Sequence, residues 1–257
     1  MKQVNVLGYG LMGKQIAALF YLGGFNVTIW NHREVDEKDL VRQIKLLRRS
    51  IDDVEEGMYN IINDINLLPD AITIESLAEN IELKKAVYKK CEHFKAPYFT
   101  NSSSYSPLEI GDNVNGFHFF NPISLKLVEL YWEDSAISDQ VVALTDFLKK
   151  TGFDVVKVGS NRGYLGNYIL FNEISSALKL IEKLNYSTEQ VNSIYEKLYG
   201  GRNIFNIVDL IGVDTSYQIL KNLKESDNSI YLPECFEAAL AKNILGRKNK
   251  TSIIDVL

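Results

Sequence analysis

Val4-Asn5-Val6-Leu7-Gly8-Tyr9-Gly10-Leu11-Met12-Gly13 decides the fold. Its first four residues read as a short apolar strand, and they run without a spacer into glycines at the spacing G-x-G-x-x-G. A helical pattern follows at Ile16, Ala17, Leu19 and Phe20, Gly23-Gly24 ends it, and Val27 to Trp30 supplies a second strand. Gly8 permits the tight turn, Gly10 lets the backbone approach a pyrophosphate, and Gly13 allows the helix to pack close to the strand. The helix N-terminus, with its unpaired N–H groups and positive dipole end, attracts the negative charge. G-x-G-x-x-G alone is weak evidence. Between an N-terminal strand and a helix that leads to another strand, it predicts dinucleotide binding through Gly8, Gly10, Leu11, Met12 and Gly13, in an α/β, doubly wound Rossmann domain.

The residue ending the second strand of such a domain decides between cofactors, because an acid there holds the ribose hydroxyls and repels a 2'-phosphate. Here it is Asn31, which can bond a hydroxyl but carries no repelling charge. His32 and Arg33 follow where a phosphate clamp would sit. Arg33 can equally be a solvated loop residue, so both NAD and NADP stand as the expected cofactor.

The 257 residues are 46% hydrophobic and 24% charged, a balance that suits a globular chain with a sizeable core and not a disordered one. The net charge of -5 gives no global basic field for nucleic acid or an anionic membrane. Cys91 and Cys235 stand far apart, with no metal spacing, and read as reduced thiols. The expected compartment is the cytoplasm, since MKQVNVLGYG lacks a signal peptide's apolar stretch and no run approaches a membrane span. With 3 histidines and 2 cysteines, no metal site is expected.

Further along, Glu34 to Asn66 has helical spacing at Leu40, Ile44, Leu47 and Ile51, bounded by Asp52-Asp53 and Gly57, and reads as a helical excursion. Ala71 to Ile74 and Tyr98 to Thr100 read as buried strands, with a helix bearing Leu83, Ala86 and Val87 between them. Asn101-Ser102-Ser103-Ser104 follows directly; small hydroxyl residues there can point into the cleft at the strand ends or cap the next helix. Val141 to Lys150 reads as an amphipathic helix and Asp154 to Val158 as a strand that completes a first domain, 1–160. From Tyr168 on, the pattern is helical, so 161–257 is expected to be a smaller all-α domain.

The stretch Gly116 to Leu130, GFHFFNPISLKLVEL, carries the chemistry. Phe117, Phe119 and Phe120 suit a buried strand, Pro122 stops it, and Leu125 to Leu130 resumes an apolar segment. His118 sits just before that break, where Glu129, folded back, can fix its tautomer and stabilise its charged form. A lone histidine in an aromatic run can also be a hydrogen-bonded structural residue.

HFFNP followed by LVEL resembles the signature of the 3-hydroxyacyl-CoA dehydrogenases, and the resemblance runs through nearly the whole chain. It implies that His118 is the base, Glu129 its partner and Asn121 a contact at the nicotinamide end. The interval from His118 to Glu129 is one residue shorter than usual. IESLAENIELKK resembles the segment passing the nicotinamide ribose, which makes Glu79 and Lys84 cofactor-side residues; as plain sequence they are ordinary first-turn helix residues. Asn101 to Ser104 stands where the family has Asn-Thr-Ser-Ser, which puts the substrate-oxygen bond on Ser103, with Ser102 and Ser104 as one-residue alternatives. Asn167 matches the substrate-side asparagine of Pro-Gly-Phe-x-x-Asn-Arg, although Arg162 and Tyr168 replace the Pro and the final Arg. Asp214 or Thr215, in a segment like LLDxxGLDT, reads as a helix cap, and Lys248 matches a tail lysine near the cofactor. The segment after Asn31 is shorter than the family's helix-turn-helix arm, part of the CoA-binding surface, and the GFY closure of the tail is missing.

The resemblance implies hydride transfer between a nicotinamide and the 3-carbon of a 3-hydroxyacyl or 3-oxoacyl thioester, and a homodimer formed through the helical domain. Two other readings are a relative acting on a carrier-protein thioester or a small hydroxy acid, and a nucleotide-binding subunit without catalysis.

Overall fold

The computed structural model describes residues 2–51, 54–133 and 138–257. Its chain divides into two compact units, Met1–Asn161 and Arg162–Leu257.

The first unit is built on one eight-stranded sheet, in the order β3-β2-β1-β4-β5-β6-β7-β8. The strands are β1 (Gln3–Leu7), β2 (Asn26–Trp30), β3 (Met58–Ile62), β4 (Ile72–Glu75), β5 (Tyr98–Thr100), β6 (Val114–Phe119), β7 (Leu127–Tyr131) and β8 (Asp154–Lys157). The first six run parallel, β7 turns antiparallel against β6, and β8 is parallel to β7. The helices of this unit are α1 (Leu11–Leu22), α2 (Glu37–Leu47), α3 (Ile81–Cys91), α4 (Pro107–Ile110) and α5 (Asp139–Lys150). This is the doubly wound arrangement in which ligands bind beyond the C-terminal ends of the strands, where the strand order reverses between β1 and β4.

Strand β1 reads as an apolar run because both its faces are covered, as parallel sheets require. Its one buried polar residue, Asn5, donates to the Pro69 carbonyl at 2.8 Å and to Thr73 Oγ1 at 3.1 Å. Phe20, Phe99, Phe117 and Phe147 fill the core against α1 and α5.

The segment from Glu34 to Asn66 differs from the expected helical excursion. Only α2 is helical. After a single 3-10 turn (Arg48–Ser50), Met58–Ile62 becomes the edge strand β3, in register with β2. An edge strand pairs on one side only and needs no continuous apolar face; Met58 is 64% exposed, which hides the strand from a pattern reading. Asp52 and Asp53, expected as the boundary there, lie outside the described residues.

The second unit is all-helical: α6 (Gly166–Leu184), α7 (Thr188–Leu198), α8 (Ile204–Ile211), α9 (Val213–Ser226) and α10 (Cys235–Ala241). Phe171, Ile174, Phe205, Leu220 and Phe236 form its core. The tail is tied in by Asp209, which accepts from the Ser252 hydroxyl at 2.5 Å and from the Ile253 N–H at 2.8 Å. Among the described residues, no helix is long and apolar enough to cross a membrane.

Candidate active site

At the first turn, the glycine spacing has a steric cause. Gly8 has φ +106°, and a Cβ there would fall 2.5 Å from the Ser76 carbonyl oxygen; a Cβ on Gly13 would fall 2.1 Å from the Gly8 carbonyl oxygen. Gly10 is different, since a Cβ on it would meet nothing within 4 Å. It caps α1 without a side-chain hydrogen bond, and the first turn of α1 holds no acidic residue. The turn therefore leaves an open, positive-ended cradle beside exposed Leu11 and half-buried Met12, which fits the pyrophosphate of a dinucleotide.

Asn31 follows β2 directly. Its amide donates to the Arg33 carbonyl at 2.8 Å, and its own carbonyl accepts from Asn63 at 2.9 Å. An aspartate could not make the first of these bonds, because a carboxylate has no hydrogen to donate. Arg33 is exposed, and among the described residues no ion pair engages it.

His118 and Glu129 are directly opposed across the β6–β7 pair. In an antiparallel ladder, opposed residues point to the same face. Here His118 Nδ1 stands 2.9 Å from Glu129 Oε2, with both side chains buried. Glu129 accepts from Nδ1–H, which leaves Nε2 as the basic nitrogen of the neutral ring. The shortened interval is accommodated by a compact reversal: Asn121–Pro122 is cis, Ile123–Leu125 makes one 3-10 turn, and Lys126 adopts φ 54°. Asn121 is exposed at the start of that turn.

A second set of charges lies at the ends of β4 and β5. Glu75 is fully buried and accepts from the Leu77 N–H at 2.6 Å, the Lys84 ammonium at 2.9 Å and the Thr100 hydroxyl at 2.7 Å. Lys84 also pairs with Glu79 at 3.3 Å. Glu79 in turn accepts from the Ser103 N–H at 2.5 Å, the Ser103 hydroxyl at 2.8 Å and the Ser102 hydroxyl at 2.9 Å. Burial pushes the Glu79 carboxyl up, but the Lys84 ammonium and the serine donors outweigh it and hold the group below the usual carboxylate range. Burial pushes Lys84 down, and the two carboxylates outweigh that and hold it above the usual lysine value.

This corrects the plain reading of Glu79 as a first-turn helix residue, whereas Lys84 does stand in the first turn of α3, but buried. Helix α3 begins at Ile81 with Asn80 as its cap, so Glu79 precedes it. Lys84 is only 1% exposed, so it reaches a ligand only through Glu79. Ser106, not Ser102 or Ser103, makes the capping box of α4.

Residues 3–161 match the NAD binding domain of the 3-hydroxyacyl-CoA dehydrogenases, and residues 163–256 match the C-terminal domain of the same family. The chain belongs to the 3-hydroxyacyl-CoA dehydrogenase family. It is accordingly an NAD(P)-dependent oxidoreductase of the CH–OH group. The mitochondrial hydroxyacyl-coenzyme A dehydrogenase of Sus scrofa is 27% identical, over 96% of this chain and 89% of its own. A probable 3-hydroxybutyryl-CoA dehydrogenase of Bacillus subtilis is 27% identical, over 87% and 85%. In fold, the chain is similar to M. tuberculosis FadB2 (TM-score 0.80, 21% identity, 98% of each chain) and to the (S)-3-hydroxybutyryl-CoA dehydrogenase PaaH1 of Ralstonia eutropha (TM-score 0.80, 22% identity, 98% of each).

In the second unit of this 3-hydroxyacyl-CoA dehydrogenase family member, Asn167 lies buried in the first turn of α6. Tyr168, in place of the family's arginine, donates to Asp227 at 2.5 Å. The cap of α9 is Gly212 and not Asp214 or Thr215; the segment has already turned helical at Val213, and both residues sit in the first turn. Lys248 bonds Asp214 at 2.6 Å and Thr215 at 2.9 Å.

In a motif reading Asn101 has no role of its own and Gln15 is passed over. Asn101 Oδ1 accepts from the Phe119 N–H at 2.9 Å and so ties the end of β5 to the strand that carries His118. Gln15 Oε1 accepts from the Ile123 N–H at 3.0 Å, and its Nε2 lies 3.5 Å from Asn121 Oδ1, so α1 braces the reversal after β6. The signal for Gln15 was a polar residue on an otherwise apolar helix face, which burial obliges to find partners.

Proposed function

We propose that this enzyme interconverts a 3-hydroxyacyl and a 3-oxoacyl thioester, with His118 carrying the proton and Glu129 holding its ring. The buried His118–Glu129 pair at the end of β6 is the observation that supports this reading. When bound, the nicotinamide cofactor supplies the hydride acceptor or donor. The chain handles the proton: Nε2 of His118 takes it from the substrate hydroxyl during oxidation, and Glu129 stabilises the resulting imidazolium. In reduction the same nitrogen returns it.

Ser103 is assigned to the reacting oxygen. Its hydroxyl hydrogen is given to Glu79, so it offers lone pairs to a substrate hydroxyl. To meet a 3-oxo oxygen, that hydrogen must turn away from Glu79, which keeps the Ser103 N–H. Asn167 carries the substrate-side role its place in the second-unit motif implies, and Asn121 and Glu79 the cofactor-side roles. The names of the relatives favour a CoA ester, and 3-hydroxybutyryl-CoA is the substrate of choice. The single 11-residue helix α2, where the family has a longer arm, favours a carrier-protein thioester as the second reading. The helical unit is assigned to substrate binding and to a homodimer, for which exposed Leu184, Ile194 and Leu198 offer an apolar surface.

The test is nicotinamide absorbance with acetoacetyl-CoA and NADH or NADPH in parallel. Turnover with either supports the reading; folded protein that binds cofactor yet is silent in both contradicts the CoA ester, and turnover of a carrier-bound acetoacetyl group alone establishes the second reading. Arg33 is assigned to the 2'-phosphate. A charge-assisted bond contributes about 1.5–3 kcal/mol, so Arg33→Ala is expected to weaken NADPH roughly tenfold or more and NADH by less than about twofold. Unchanged NADPH affinity would remove the clamp.

A further inference from the structure

We propose that Glu75, which no step above uses, is a positioning residue: through Lys84 and Glu79 it fixes the turn that presents Ser103. The proposal rests on the assignment of Ser103 to the reacting oxygen.

Glu75 ends β4, fully buried inside the sheet, in register with Leu7 of β1 and Thr100 of β5. A carboxylate there is destabilising unless its lone pairs are satisfied. Three donors satisfy it, the Leu77 N–H, the Lys84 ammonium and the Thr100 hydroxyl. The Thr100 bond spans from β4 to the neighbouring β5, and Asn101 begins the turn immediately after it. Glu75 is thus joined to two adjacent strand ends and to α3 through Lys84.

Lys84 passes this rigidity outward. Its ammonium lies between Glu75 at 2.9 Å and Glu79 at 3.3 Å, with the Leu77 carbonyl at 3.5 Å. Glu79 stands in the loop before α3, where no ladder holds its backbone, and Lys84 is the cation that anchors it. A lysine paired with Glu79 alone could follow that carboxylate toward solvent on its flexible stem. Clamped between two carboxylates, it cannot. From Glu79 the chain of bonds reaches the Ser103 N–H and hydroxyl and the Ser102 hydroxyl, and Ser102 Oγ accepts from the Tyr105 N–H at 3.0 Å. The turn 102–105 is thereby fastened to the sheet, and a reacting group needs a placement good to about 0.5 Å.

Glu75→Gln keeps the volume and the acceptor for Leu77 but leaves Lys84 without its inner carboxylate. Alone, it is expected to lower kcat roughly ten- to hundredfold, with KM within about threefold, because the lost geometry matters most in the transition state. In a Ser103→Ala background the same change should cost less than about threefold, since residues acting as one unit are not additive. In the protein without cofactor, hydrogen exchange at the Ser103 and Tyr105 amides should quicken by about tenfold or more. Equal costs in both backgrounds, or unchanged exchange at these amides, would overturn the proposal. Ser103→Ala with undiminished turnover would instead overturn the assignment of Ser103 and leave the exchange result standing. Should Glu75→Gln not fold, Thr100→Val removes one of the same bonds and is read by the same two measurements.

Discussion

Replacing His118 with glutamine lowers kcat by roughly a hundredfold to ten-thousandfold, the usual worth of a positioned acid–base group, and leaves nicotinamide dinucleotide affinity within about threefold. The asymmetry follows from where the parts sit. The cradle for the pyrophosphate is the Gly8–Gly13 turn between β1 and α1, whereas His118 lies near the end of β6, two strands beyond β4 in the sheet order. Glutamine keeps a polar side chain opposite Glu129 but offers no nitrogen basic enough to accept a proton. Glu129→Gln should be milder in kcat, because the ring survives and loses its oriented carboxylate. Steady-state rates with cofactor titrations check both. A His118→Gln enzyme with wild-type kcat would end the role given to this residue.

Lys84→Met removes about 3–5 kcal/mol of stability, as breaking a buried ion pair by deleting one partner does. Two carboxylates, Glu75 and Glu79, are left facing the void of one ammonium. The pH dependence gives the loss a signature. In the wild type, Glu79 titrates below its unfolded value, so its contribution is present above the ordinary carboxylate range and fades as pH falls through the folded pKa. Lys84 titrates above its unfolded value, so its contribution is full below the ordinary lysine range and fades as pH rises through the folded pKa. Without Lys84, only the serine donors oppose burial at Glu79, so protonating a carboxylate is expected to relieve the variant more than the wild type. Urea unfolding from about pH 8 to about pH 5 should show the gap to wild type narrowing on acidification. A gap under about 1 kcal/mol at every pH would mean that the pair contributes no more than a surface one.

What the sequence disclosed and what it withheld have physical reasons. The Gly8, Gly10 and Gly13 spacing was legible because backbone approach admits no other residue at Gly8 and Gly13, so geometry is written directly into residue type. His118 and Glu129 were legible as a pair because Pro122 marks the reversal that brings two strands side by side. Strand β3 was not, since an exposed edge strand shows no clean alternation beside the strong helical spacing of α2. The coupling of Glu75, Lys84 and Glu79 was invisible for another reason. Glu75 and Thr100 meet across adjacent strands that stand 25 positions apart, and only the sheet order reveals that they touch.

The most direct measurement is the fate of the hydride. Acetoacetyl-CoA is incubated with enzyme and NADH or NADPH carrying deuterium at the transferable C4 position, and the product is examined by mass spectrometry and NMR. The expected product is 3-hydroxybutyryl-CoA with deuterium on its third carbon. Product without deuterium at that carbon, or no product with either cofactor from folded protein that binds them, would contradict the proposed function.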